Sequence, residues 1–231
     1  MKLLLGIKIN GCLFLFLLSI FAGCKKELKK ENIQIVENSR VAHLPYYKDK
    51  SFTPYWIGPE SEEEKSFHKI PDFELINQLG DTISQKTFDD KIYIVDFFFT
   101  TCPGICLKMT NHMFKLQEKF KNDTEILFLS HSVTPTIDSV SVLKNYAIKN
   151  NVMDNKWHLV TGDRKEIYDL GRNHYFVEND LGVPKDLDDF LHSENFLLID
   201  KRKHIRGIYN GLNRASMAQL ITDVKTLRSE P

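Results

Sequence analysis

The segment KIYIVDFFFTTCPGICLKMTNHM, residues 91–113, carries the pattern that decides the fold. Its first ten residues are rich in β-branched and aromatic side chains, which is typical of a strand buried on both faces of a sheet. Beyond residue 103, Met109 and Met113 begin an apolar stripe at helical spacing. The sequence therefore predicts that Cys102 and Cys106 lie where a buried strand is followed by a helix.

The rest of the chain alternates strands and helices around this segment. Strands are predicted within residues 72–84 (with a turn at Gly80), 125–133, 156–162, 194–200 and 204–211, and helices within 103–121, 138–149, 163–175 and 216–227. We expect Asp138 to cap its helix, the helix after residue 163 to end near Gly171, and the last two strands to form a hairpin. This order predicts a thioredoxin-like α/β fold, with a central mixed sheet and helices on both faces.

The N-terminus has the features of a targeting segment. Lys2 and Lys8 supply positive charge, and residues 11–22 form an apolar run of signal-peptide length, shorter than the ~20 residues of a membrane span. The sequence FAGC at 21–24 resembles a bacterial lipoprotein cleavage box, in which Cys24 becomes the lipidated first residue. The alternative is an uncleaved signal anchor. Both interpretations place the remaining chain outside the cytoplasm and tethered to a membrane, and we expect it to face the periplasm.

We divide the chain into a signal peptide (1–23), a membrane tether and extended arm (24–66), and a folded domain (67–231). The segment after Cys24 is highly charged, whereas residues 41–58 are rich in aromatic residues and proline and are expected to lie on the domain. The formal net charge is zero, so the composition gives no indication of a nucleic-acid partner.

Only two of the four cysteines are expected to remain available in the mature domain. Cys12 is removed with the signal peptide and Cys24 is lipidated, which leaves Cys102 and Cys106. Residues four apart on a helix have Cα atoms about 6 Å apart, which is within disulfide range. A helix N-terminus lowers the pKa of nearby thiols, and thiolates select soft ions such as Cu(I). The pair could therefore bind metal, exchange disulfides or form a structural bridge, although a bridge over so short a loop stabilises a fold little.

Among the eight histidines, His192 has the most informative position. It comes just before the strand that opens the predicted hairpin, where thioredoxin-like folds place a loop against their active-site cysteines. A lone histidine at such a position is more often structural than a ligand, so the residues alone leave its role open. His158 is expected to be a partnered core residue, and His204 a surface or turn residue.

The sequences CPGIC and LHSENFLLID, together with SHSVTPTIDSVSVLKNYA and WHLVTGD, resemble those of the Sco/SenC family. This resemblance covers residues 67–231 and implies a membrane-tethered, thioredoxin-fold copper protein that helps assemble the copper site of cytochrome c oxidase. It implies that Cys102, Cys106 and His192 are the ligands of Cu(I) or Cu(II). It also implies that the partner is the copper-receiving subunit of that oxidase.

Two residues depart from the family pattern. Leu107 replaces the proline of the usual CPxxCP sequence, and Leu191 replaces the aspartate that often precedes the family's histidine. Neither change removes a ligand, but the second alters the surroundings that orient a metal-bound imidazole. An alternative function therefore stays open. The chain could be an extracytoplasmic thiol–disulfide oxidoreductase that keeps partner cysteines reduced, with Cys102 as the attacking thiol, so enzymatic activity is undecided.

Overall fold

The computed structural model describes residues 41–178 and 189–230. The predicted signal peptide, the lipidation site Cys24 and the first part of the tether lie outside the described residues. Within the described ranges, no helix is both long and apolar enough to cross a membrane.

Seven strands form one mixed sheet in the order β2-β1-β5-β4-β3-β6-β7. Strands β3, β4 and β5 at the centre are parallel, and the flanking pairs are antiparallel. The predicted strands and the closing hairpin are confirmed. Their bounds are β1 Glu74–Asn77, β2 Thr82–Ser84, β3 Ile92–Phe98, β4 Ile126–Ser132, β5 Trp157–Thr161, β6 Asn195–Ile199 and β7 Ile205–Asn210.

Helices cover both faces of this sheet, as predicted. Alternate residues of β3 point to opposite faces, so Ile94 belongs to one buried apolar cluster and Val95 to another. The helices are α1 Glu62–Lys65, α2 Ile105–Phe120, α3 Val140–Lys149, α4 Arg164–Asp169, which continues as a π-helical turn over Leu170–His174, and α5 Arg214–Ser229. The first cluster includes side chains of α2, α3 and α5, and the second includes side chains of α4. A 3-10 turn spans Gln85–Phe88.

The structure corrects three expectations about individual residues. Ser139 caps α3, because its hydroxyl accepts a hydrogen bond from the Val142 N–H, so Asp138 is not the cap. The helix after residue 163 continues past Gly171 through the π-helical turn. His204 is fully buried, and its Nε2 lies 2.7 Å from a Glu64 carboxylate oxygen.

The aromatic arm lies on the domain. Tyr47 pairs with Ile205 of β7 through backbone hydrogen bonding, and Tyr46 is fully buried. The buried Arg206 guanidinium lies over the Tyr46 ring, 3.9 Å from its centroid, and donates to the Leu44 carbonyl at 2.7 Å. If the arm left the sheet edge, the Arg206 guanidinium would lose these partners, and a buried arginine without partners is costly. These contacts therefore hold the arm against the sheet edge.

Candidate functional site

The cysteine pair lies at the carboxyl end of the parallel strands, where β3 leads into α2. Cys102 is partly exposed in the connecting loop, whereas Cys106 is buried in the first turn of α2. Both are free thiols, and the Cys106 N–H donates to the Cys102 sulfur at 3.4 Å. The carboxyl edge of an open α/β sheet is where such folds bind their ligands.

Helix α2 begins later than the sequence predicts. The spacing places a helix from residue 103, but α2 begins at Ile105, with Gly104 at its N-cap. Cys102 therefore lies three residues before the first helical residue instead of directly before it. From this position its sulfur faces the unpaired N–H groups at the helix start, which satisfies donors that no helical carbonyl can reach.

The pKa values of the two thiols are shifted in opposite directions. Burial alone would raise the pKa of Cys102, but hydrogen bonds from the N–H groups of Gly104, Cys106 and Ile105 bring it below its ordinary value. Burial raises the pKa of Cys106 to about 12, and its hydrogen bond to Cys102 adds to this effect. Cys102 is therefore the thiol that ionises first, while Cys106 retains its proton.

One cavity of about 1050 Å³ opens beside the pair. Both cysteines and His192 line it, and part of its remaining wall is aromatic. The arm contributes Tyr47 and Phe52 to this wall. Their role was missed by sequence reasoning, which predicted only that the arm lies on the domain. The site is therefore built from both the domain and the arm.

His192 shares the cavity but is not placed at the thiols. Its side chain is exposed in the loop before β6, and Leu191, the residue before it, is fully buried. The Leu191 side chain packs where a β-carbon on Gly171 would lie, which fixes the loop by an apolar contact. Across the residues that the structure describes, no group of three His, Cys, Asp or Glu side chains is arranged to hold a metal ion. A metal held by all three residues would require His192 to move towards the thiols.

Asp96 is a buried acid near the site that sequence reasoning missed. It lies on β3 and is 2% exposed, and it accepts a hydrogen bond from the Ser130 hydroxyl. Burial raises its pKa to about 7. Its charge also contributes to the raised pKa of Cys106. The available signal was a single acidic residue inside the apolar run of β3.

The loop that carries His192 is tied to the π-helical turn. The buried Arg172 side chain donates to the Glu178 carboxylate at 3.1 Å and to the Asp189 carbonyl at 2.6 Å. The Ser193 hydroxyl, next to His192, donates to the Val177 carbonyl at 2.7 Å. These contacts keep the histidine loop at the edge of the cavity.

Comparisons with known proteins find similar sequences and similar folds. The family model described as SCO1/SenC matches residues 61–228. The chain is 28% identical over 161 residues to the SCO1 protein homolog of Bacillus subtilis (strain 168), covering 69% of this chain and 82% of that protein.

Solved structures show the same fold. A SCO1/SenC family lipoprotein from Bacillus anthracis str. Ames superposes with a TM-score of 0.62 and 28% identity, covering 70% of this chain and 96% of that one. BsSco gives a TM-score of 0.59 and 26% identity, covering 70% of this chain and 94% of that one. BsSco is described as a member of the Sco family of cytochrome c oxidase assembly proteins that has a disulfide switch.

Proposed function

The chain belongs to the SCO1/SenC family, and from that premise we propose that it is a membrane-tethered copper-binding protein. In this proposal it delivers copper to the copper-receiving subunit of cytochrome c oxidase and helps assemble the copper site there. The observation that carries the proposal is the shared cavity lined by Cys102, Cys106 and His192. Two sulfurs and an imidazole are a donor set suited to Cu(I), because soft thiolates select that ion.

The two thiols would bind copper in sequence. The Cys102 thiolate, favoured by its N–H donors, binds Cu(I) first. Cys106 binds next and releases its proton to solvent, since a coordinating thiol is deprotonated by the ion. His192 completes the site by moving inward from the cavity edge. The open cavity then lets thiolates of the partner replace these ligands one at a time.

The tether keeps this exchange near the membrane. We propose that Cys24 carries the lipid and that the domain faces the periplasm, because residues 1–23 have the charge and apolar length of a lipoprotein signal. A lipoprotein among the structural relatives supports this placement. Confinement at a membrane raises the local concentration of a membrane-bound partner.

Thiol–disulfide exchange is the second candidate, and the opposite pKa shifts of the pair favour it. The Cys102 thiolate would attack a partner disulfide and form a mixed disulfide, releasing one partner thiolate. Cys106 would then lose its proton and attack Cys102, closing the intramolecular disulfide and releasing the second partner thiolate. The dithiol supplies both electrons, and the partner cysteines become free to load copper.

A transfer experiment separates the two candidates. The purified protein carrying one Cu(I) is mixed anaerobically with a copper-free oxidase subunit whose cysteines are reduced, and the metal on each protein is measured after separation. Copper delivery predicts that the metal moves to the subunit. The copper-free dithiol protein is also mixed with the disulfide form of the subunit. If copper stays in place while the disulfide is reduced, the protein is a reductase and copper delivery is wrong.

A further inference from the structure

A buried carboxylate holds the chain just before Cys102. Asp138 is fully buried, and its oxygens accept hydrogen bonds from the Thr100 N–H at 3.3 Å and from the Thr100 hydroxyl. The hydroxyls of Ser132 and Thr134 donate to the same carboxylate at 2.6 and 2.9 Å. Four donors thus converge on an acceptor-only group, which compensates for its removal from water.

Thr100 connects the Asp138 carboxylate to the segment that carries the Cys102 thiol. Strand β3 ends at Phe98 and α2 begins at Ile105, so Cys102 lies in a connection that no ladder or helix holds. Thr100 lies in the turn that carries Cys102, whose N–H points back to the Phe99 carbonyl at 3.4 Å. Cys106, in contrast, is held by a helix packed into the core.

We propose that Asp138 is a positioning residue that, through Thr100, holds the Cys102 sulfur within reach of the Cys106 sulfur. A fixed loop raises the effective concentration of one sulfur at the other, which favours closure of the disulfide as well as chelation of a metal by both sulfurs. The inference rests on the proposed function only in taking Cys102 and Cys106 as the working pair.

Two variants and a matched control test this role. Thr100→Val keeps the side-chain shape and removes its hydroxyl, and Asp138→Asn removes the charge of the acceptor. Thr134→Val removes another hydroxyl from the same carboxylate without touching the segment before Cys102. The copper-free full-length protein is equilibrated with mixtures of reduced and oxidised glutathione, and the fraction of Cys102–Cys106 disulfide is measured.

We expect the equilibrium constant for disulfide formation to fall at least threefold in Thr100→Val and Asp138→Asn, which is about 14 mV at 29.6 mV per tenfold change. Thr134→Val should leave this constant within about 1.5-fold of the wild type, although we expect its urea midpoint to fall as that of Thr100→Val does. Thr100→Ser, which restores a hydroxyl, should recover the wild-type constant.

If the constant in Thr100→Val falls less than threefold, or falls no more than in Thr134→Val, the proposal is overturned. Thr100→Val decides the outcome even if Asp138→Asn fails to fold. Since the equilibrium involves no copper, this result does not depend on copper delivery. An Asp138 role confirmed here would stand even if the transfer experiment assigned the protein as a reductase.

Discussion

Replacing Asp96 with asparagine should make the stability of the protein less dependent on pH. The Asp96 carboxyl is 2% exposed, and the Ser130 hydroxyl is its hydrogen-bond donor. Burial raises its pKa to about 7, and the Ser130 hydrogen bond offsets only part of that effect. Asparagine has nearly the same shape but does not ionise, so the variant removes the titration and retains the volume.

The sign and size of the effect follow from the two pKa values. In the unfolded chain the Asp96 carboxyl has a pKa of about 3.9, so it releases its proton at a lower pH than in the folded protein. The stability contribution of its protonated form is therefore complete below about pH 4 and is lost as pH rises through about 7. The difference between the two pKa values corresponds to about 4 kcal/mol.

Urea unfolding of both proteins at pH 4 and pH 8 measures this contribution. The free energy of unfolding of Asp96→Asn minus that of the wild type should rise by about 4 kcal/mol between the two pH values. Any constant cost of changing the hydrogen bond to Ser130 cancels in this comparison. If the difference between the proteins stays constant within about 1 kcal/mol, Asp96 does not titrate with a raised pKa and the reasoning is refuted.

Three further predictions concern the surroundings of the site. Gly171→Ala would place a β-carbon 2.8 Å from the Leu191 Cδ1 atom, so we expect urea unfolding to show a loss of about 1–3 kcal/mol; an unchanged midpoint would contradict that packing. Arg206→Met removes a cation that lies between two buried carboxylates, so the free energy of unfolding should fall by about 3–5 kcal/mol, and a neutral effect would show that the arm is not held by this charge. Iodoacetamide at pH 7 should modify Cys102 at least about tenfold faster than Cys106, because Cys102 has the lower pKa; equal rates by peptide mass spectrometry would exclude the proposed asymmetry.

The sequence predicted the order of the elements because strand and helix periodicities are strong in this chain. The apolar run of β3 and the helical stripe of α2 were enough to place Cys102 and Cys106 at the correct edge of the sheet. The start of α2 was wrong by two residues, because Pro103 is compatible with both a loop and the first helical turn.

Residues whose roles depend on contacts far along the chain were not predictable. Asp138 was expected to be a cap because it precedes a helix, but the neighbouring Ser139 takes that role and Asp138 faces Thr100, 38 positions away. His204 was expected to be a surface or turn residue, yet Glu64 of the arm pairs with it in the interior. Local sequence patterns do not predict partners that lie so far apart along the chain.

The departure at residue 191 has a structural explanation that the sequence could not supply. Leu191 is fully buried in the apolar cluster that also contains Phe97, next to the space left by Gly171. A carboxylate at this position would lack a compensating partner among those apolar neighbours. In this chain an apolar contact therefore holds the backbone beside His192.

Anaerobic titration of the reduced protein with Cu(I) tests the central claim most directly. We predict one tightly bound Cu(I) per chain, lost in Cys102→Ser and weakened in His192→Ala. The control His174→Ala changes a histidine that does not line the cavity and should bind copper as the wild type does. Weak binding by the wild type, or equal affinities of His192→Ala and His174→Ala, would contradict the three-ligand site.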